Sequence, residues 1–131
     1  MSVAARLKEL ENRIFDFCGV VPDHPFKETD LPVFRHPDSR KWFAVVIPDV
    51  PGRYFGKSGK VTVLNLKCDP LLSDGICDGV TVFPAYHMNK RHWISVVLDE
   101  DPDLTGIMAL VSVSYRLTMP ARKKSKEESH D

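Results

Sequence analysis

The chain has 131 residues, 43% of them hydrophobic and 27% charged, which suits one core and is too little for two domains. Lysine plus arginine equals aspartate plus glutamate at 18 each, so no global field draws it to nucleic acid or anionic membrane, and polyanion binding must use a local patch. No stretch approaches the roughly 18 apolar residues of a membrane helix, and Cys18, Cys68 and Cys77, an odd set without paired spacing, point to a reduced cytoplasmic protein.

Residues 2–18 read as an amphipathic helix. Val3, Leu7, Leu10, Ile14 and Phe17 recur at helical spacing, with Arg6, Lys8, Glu9, Glu11 and Arg13 mostly outside the stripe. Gly19 fits as its stop. Pro22, Pro25 and Pro32 make 20–32 an irregular connection. Residues 33–36 and 41–47 read as a hairpin around Pro37-Asp38-Ser39-Arg40, and the second arm is apolar on both faces, which suits an interior strand. Two prolines and three glycines make 48–59 a long loop.

Residues 60–68 form the next strand. Thr62, Leu64, Leu66 and Cys68 should face the helices, while Val61, Val63, Asn65 and Lys67 take the other side, with Asn65 and Lys67 carried to one exposed site. Asp69-Pro70 is a cap followed by proline at the first helical position, opening a short helix to about Cys77 that Gly75 weakens. Residues 80–84 are a brief strand and 93–99 a stronger one. Asp101-Pro102-Asp103 repeats the cap signature and opens a last helix to about Met119. Leu104, Ile107, Met108, Val111, Tyr115 and Leu117 supply its buried face. Residues 120–131 are a charged tail, expected to be disordered, outside a single domain of 1–119. The order α-β(3)-α-β(2)-α predicts a two-layer α+β domain with helices on one face of a mainly antiparallel sheet.

Several segments imitate chemistry. Gly52 through Ser58 resembles a phosphate-binding loop, but three residues separate Gly52 from Gly56-Lys57-Ser58 where four are needed, and a strand follows instead of a helix. The plainer reading is an inter-strand loop whose Arg53, Lys57 and Lys60 could touch backbone phosphates. His87 and His92 fall within zinc-type His-x3–5-His spacing, but that spacing is common by chance and no second pair accompanies it, Cys68 and Cys77 being too far apart in sequence, so no metal or cofactor is assigned. A Cys68–His87 pair would need a lowered thiol pKa and an oxyanion site, and Cys68 falls on the apolar face of its strand. Asp69, Asp99, Asp101 and Asp103 sit at helix starts, where capping explains them. Asp74 and Asp78 are read as facing solvent.

The densest stretch is Pro84-Ala85-Tyr86-His87-Met88-Asn89-Lys90-Arg91-His92-Trp93. Its cations suit phosphates, its Asn and His suit backbone or base edges, and its rings suit stacking. A tight turn before a strand draws on the same residue types. With Asn65-Leu66-Lys67 and Pro70, with Tyr86-His87, Asn89-Lys90 and His92-Trp93, and with Phe43-Ala44 and Ser114-Tyr115, the chain resembles the MmcQ/YjbR family from its first helix to Met119. Ala85 stands where that family usually carries glycine.

The resemblance implies a double-wing YjbR-like fold, similar to secretion-chaperone and frataxin (CyaY-like) domains, and DNA binding, a label that rests on fold likeness. It brings no catalytic residues. The candidate surface is Arg53, Lys57, Lys60, Lys67, His87, Asn89, Lys90, Arg91 and His92, in a non-enzymatic protein that binds DNA through basic loops. The alternatives are a protein-interaction or chaperone-like module, or homodimer, using apolar Val61, Val63 and Val46, and a small-molecule binder built on Tyr86, His87, His92 and Trp93.

Overall fold

Local signals position each helix in the computed structural model, which describes residues 2–25 and 31–119. The Ser2 hydroxyl accepts from the Ala5 amide at 3.1 Å and opens α1 (Val3–Cys18). Gly19 closes it at φ 74°, donating to the Phe15 carbonyl at 2.7 Å. Strands β1 (Val33–Arg35), β2 (Trp42–Pro51) and β3 (Lys60–Lys67) follow. Asp69 then caps α2 (Pro70–Ile76) through the Leu71 amide. After β4 (Val82–Pro84) and β5 (Trp93–Val97), Asp103 caps α3 (Leu104–Leu117) through the Thr105 amide. Residues 26–30 of the first connection and the 120–131 segment lie outside the described residues.

The strands form one sheet in the order β1-β2-β3-β5-β4, with every neighbouring pair antiparallel. This is the α+β class, and the element order, that hydrophobic periodicity predicts. Leu10 and Ile14 of α1, and Leu104, Ile107 and Val111 of α3, pack on Ala44, Val46, Leu64, Leu66, Ile94 and Val96. Each large side chain buried there contributes about 1.5–3 kcal/mol. The outermost strands, β1 and β4, are three residues each. Val33 exchanges both backbone hydrogen bonds with Asp23 at 2.8 Å. The Asp78 carboxylate accepts from the amides of Val80, Thr81 and Val82, bonds that hold its pKa below the usual carboxylate value. Asp78 is solvent-exposed as expected, but it is also a loop organiser.

Tertiary context overrides several expectations. Arg6 is buried, because position 6 lies three residues after Val3 and four before Leu10, on the apolar stripe. Its stem packs inward while its guanidinium pairs with Asp101 and donates to the Pro102 carbonyl at 2.6 Å. Asp101 therefore serves Arg6, and Asp99 accepts from the Thr62 amide at 2.7 Å, so neither caps a helix as expected. Phe17 and Leu117 are exposed at 40% and 44%. Strand β2 runs on through Pro48, where a long loop was expected, because a bulge between Ile47 and Val50, with Asp49 at φ 58°, absorbs the proline. Strand β5 stops at Val97 and the chain coils into a 3₁₀ turn over Leu98–Glu100.

One buried hydroxyl joins the two layers. Regular β2–β3 pairing ends at Ala44 opposite Leu66. Beyond it, Ser114 of α3 accepts from the Lys67 amide at 2.8 Å and donates to the Phe43 carbonyl. One turn later the Thr118 hydroxyl donates to the Ser114 carbonyl at 2.7 Å and lies 2.9 Å from His36 Nε2. A hydroxyl has one proton, so with that proton given to the Ser114 carbonyl, Thr118 Oγ1 accepts from His36 Nε2. His36 packs on the rings of Phe43 and Tyr115, and burial pushes its pKa below 6.5.

Ser114→Ala strands a buried donor and a buried acceptor. It is expected to cost about 2–4 kcal/mol in urea unfolding with unchanged slope; a loss under about 1 kcal/mol would refute the bridging role. For His36 the unfolded chain binds the extra proton first. Its contribution is full above pH 6.5 and is lost as pH falls through the lower folded value. His36→Gln should flatten that part of the stability–pH profile, and an identical slope in both proteins would remove His36 as the cause.

Candidate functional site

The helix-free side of the sheet carries a second core. Val50, Phe55, Val61, Val63 and Val97 are buried together, with Ile47, Phe83 and Tyr86 against them. A 3₁₀ turn over Gly52–Phe55 lays Phe55 across this face. Val61 and Val63 are therefore covered instead of forming the exposed patch expected of them, and Val46 faces the helices. Gly52 allows the turn to close. Its amide donates to the Gly59 carbonyl at 2.7 Å, its carbonyl accepts from the Lys57 amide at 2.9 Å, and a Cβ would sit 2.8 Å from the Lys57 oxygen. Carbonyl oxygens converge here, the opposite of what a phosphate needs.

Asn65 is wholly buried, so its expected place on an exposed site is corrected. Its Nδ2 donates to the Tyr86 carbonyl at 2.8 Å, and its Oδ1 accepts from the Ser95 hydroxyl. Ser95 Oγ in turn accepts from the Tyr86 amide at 2.9 Å. Both backbone groups of Tyr86 are thus held by side chains on β3 and β5. Its ring lies 5.1 Å from Tyr54 and 4.0 Å from His87, and the Arg53 guanidinium stands 5.2 Å from the Tyr54 ring. The 52–55 turn and the 84–93 segment, far apart in sequence, meet in one aromatic ridge.

Beyond the ridge, His87 takes φ 60° and is exposed. Asn89 builds the turn: its Oδ1 accepts from the Arg91 amide, and its carbonyl from the amides of His92 and Trp93. That leaves Lys90 and Arg91 exposed at the tip. His92 is half-buried, and its carbonyl accepts from the Cys68 amide at 2.7 Å. Ala85 is buried without a positive φ, so alanine fits where the family usually has glycine.

The remaining candidates scatter. Lys57 is committed to Glu100 at 3.0 Å and rests over Phe83, while Lys60 is exposed where β3 begins. Lys67 lies past Asn65, its ammonium 5.7 Å from the Trp93 ring, beside a cleft of about 300 Å³. Lys41, Trp42, Lys67, Trp93, Leu117 and Thr118 line the cleft. Sequence reasoning missed Lys41 and Trp42; a hairpin register carried across β2 and β3 would have put them beside Lys67. Cys68 is buried, and burial raises the thiol pKa of both Cys68 and Cys77, away from the reactive thiolate. Among the described residues no three His, Cys, Asp or Glu side chains are grouped to hold a metal ion.

The sequence model of the YjbR family matches residues 16–117. The chain belongs to the YjbR family. Protein YyaQ of Bacillus subtilis is 35% identical over 102 residues, spanning 76% of this chain and 86% of that protein. YbdF of Escherichia coli O157:H7 is 37% identical over 67 residues, 49% of this chain and 53% of its own. A Pseudomonas syringae crystal structure superposes on this YjbR protein with TM-score 0.78 at 34% identity, covering 86% of this chain and 97% of that one. A Deinococcus radiodurans structure with a DUF419 domain reaches 0.62 at 22% identity, covering 89% and 85%, and shares the fold.

Asn65→Ala removes the bracket under Tyr86. The Tyr86 amide should exchange with deuterium at least several-fold faster while the β2–β3 amides keep their protection. Equal exchange at Tyr86 in both proteins would mean that Asn65 does not hold the loop.

Proposed function

We propose that this YjbR protein is a non-catalytic DNA-binding domain that contacts its ligand with the ridge on the helix-free side of the sheet. The observation that carries the reading is the meeting of two loops at Tyr54, Tyr86 and His87, with Arg53 beside the Tyr54 ring and the exposed Lys90-Arg91 tip a few residues along the chain from His87. Guanidinium and ammonium groups contact phosphates without regard to sequence, and partly exposed rings stack on any base face. Stacking needs unpaired bases, so single-stranded or melted DNA fits the ridge better than duplex. A net charge of zero does not oppose this, because screening confines the interaction to about 8 Å from each phosphate. The raised thiol pKa values of Cys68 and Cys77 support binding over covalent catalysis.

Arg53, Lys90 and Arg91 supply three phosphate contacts, for a slope of log K against log salt near −2 on single strands, at about −0.7 per contact. Fluorescence anisotropy across a salt series should show it, with weaker binding to duplex of the same length. Lys90→Glu with Arg91→Glu should abolish binding and leave unfolding unchanged, because both side chains are exposed. Unaltered affinity in that variant would sink the surface. A second reading, a protein-interaction module, is favoured by α2, which buries no residue and leaves Leu71 and Leu72 exposed at 89% and 57%. Absence of DNA binding at low salt would shift weight to it.

A further inference from the structure

The cleft where β2 begins, β3 ends and β5 begins shares no residue with the ridge, and the DNA reading does not account for it. Both tryptophans of the chain, Trp42 and Trp93, line it. So do Lys41 and Lys67, neither of which forms an ion pair among the described residues. Among the described residues no carboxylate is part of its wall. We infer that this cleft is a binding site for a planar aromatic anion the size of one nucleotide, with its ring against indole and its phosphate held by the two lysines.

Physical chemistry favours that occupant over others. About 300 Å³ is at the small end of ordinary ligand pockets. Two lysines lining a space with no carboxylate among the described residues favour an anion, and two large aromatic residues in so small a volume favour a flat ring. The carbonyl end of α3, represented by Leu117 and Thr118, is the opposing influence. It amounts to about half a negative charge against two full positive ones, so the anion preference stands. The same carbonyls suit the N–H groups of an amino-bearing base. A purely structural role explains part of the arrangement, since Lys67 over Trp93 is a cation–π contact in its own right. It does not explain exposed Lys41 on the same wall.

The walls are set before any ligand arrives. Lys67 and Trp93 are paired in the β3–β5 register. Ser114 fixes the Lys67 amide, and Thr118 is bonded to His36 and to the Ser114 carbonyl. A prebuilt cleft spends little binding free energy on ordering.

Because the chain has only these two tryptophans, tryptophan emission, excited at wavelengths beyond the absorption of its three tyrosines, reports on this cleft. Titrating the intact protein with AMP should change the emission saturably, and adenosine or inorganic phosphate alone should bind roughly tenfold more weakly, each keeping half of the contacts. Lys41→Ala with Lys67→Ala should weaken AMP by at least about tenfold; Lys41→Ala alone, at an exposed position, serves if the double variant does not fold. A short oligoadenylate separates the two sources of this chemistry. Saturation by AMP identifies free nucleotide as the ligand, and saturation by the oligonucleotide alone identifies a base within a strand. No saturable change with either, or a response that the lysine variants leave intact, overturns the site. Failure of the ridge would appear separately, as lost anisotropy with the fluorescence response retained.

Discussion

Where β2 and β3 stop pairing, two strands of one sheet must separate without leaving polar backbone unsatisfied in the interior. Ser114 resolves that constraint with a single hydroxyl, receiving the Lys67 amide and giving its proton to the Phe43 carbonyl. A buried unpaired amide or carbonyl costs about 1–3 kcal/mol, so the strands can part only where α3 brings such a group. The position of α3, the end of the sheet and the mouth of the tryptophan cleft are therefore one decision. Thr118 and His36 extend it to the β1–β2 turn, tying the last helix to the first hairpin.

The opposite side of the sheet follows from a second local requirement. Gly52 lets carbonyls crowd within about 3 Å of its α-carbon substituent position, which folds the 52–55 turn back over the strands. Phe55 then covers valines that would otherwise face water, and Tyr54 reaches Tyr86. Asn65 and Ser95, in the dry space beneath, find partners in each other and in the backbone of Tyr86. The family's Asn-Leu-Lys stretch thus divides its labour: Asn65 is a strut for the loop, Leu66 belongs to the helix-side core, and Lys67 faces the cleft.

Features encoded by neighbours in sequence were legible from it. Ser2, Asp69 and Asp103 declare their helices by capping chemistry, and alternation in β3 assigns Leu64, Leu66 and Cys68 to the helix side. The residues of the 84–93 turn were also legible as a group. What alternation cannot say is whether a distant segment covers the other face, so by itself it leaves Asn65 in solvent and Val61 and Val63 in an open patch. The charge of Arg6 suggests a solvated face, although its spacing lies on the stripe and it is buried. Lys41 and Trp42 went unnoticed because their importance depends on register across three strands, which pairwise spacing does not carry. Proline at position 48 suggested a loop until a bulge made it compatible with strand.

A protein with no net charge at neutral pH has little long-range repulsion to keep its copies apart. An open sheet adds a hazard, since its outer rims offer unpaired rungs to any neighbour. Here each rim is only three residues long. On one side Asp23 already occupies both polar groups of Val33; on the other, the Asp78 carboxylate collects the amides leading into β4. Two aspartates thus blunt the template for ladder growth, and colloidal stability rests on geometry at the margins more than on charge. Lengthening of the sheet at either rim is disfavoured accordingly.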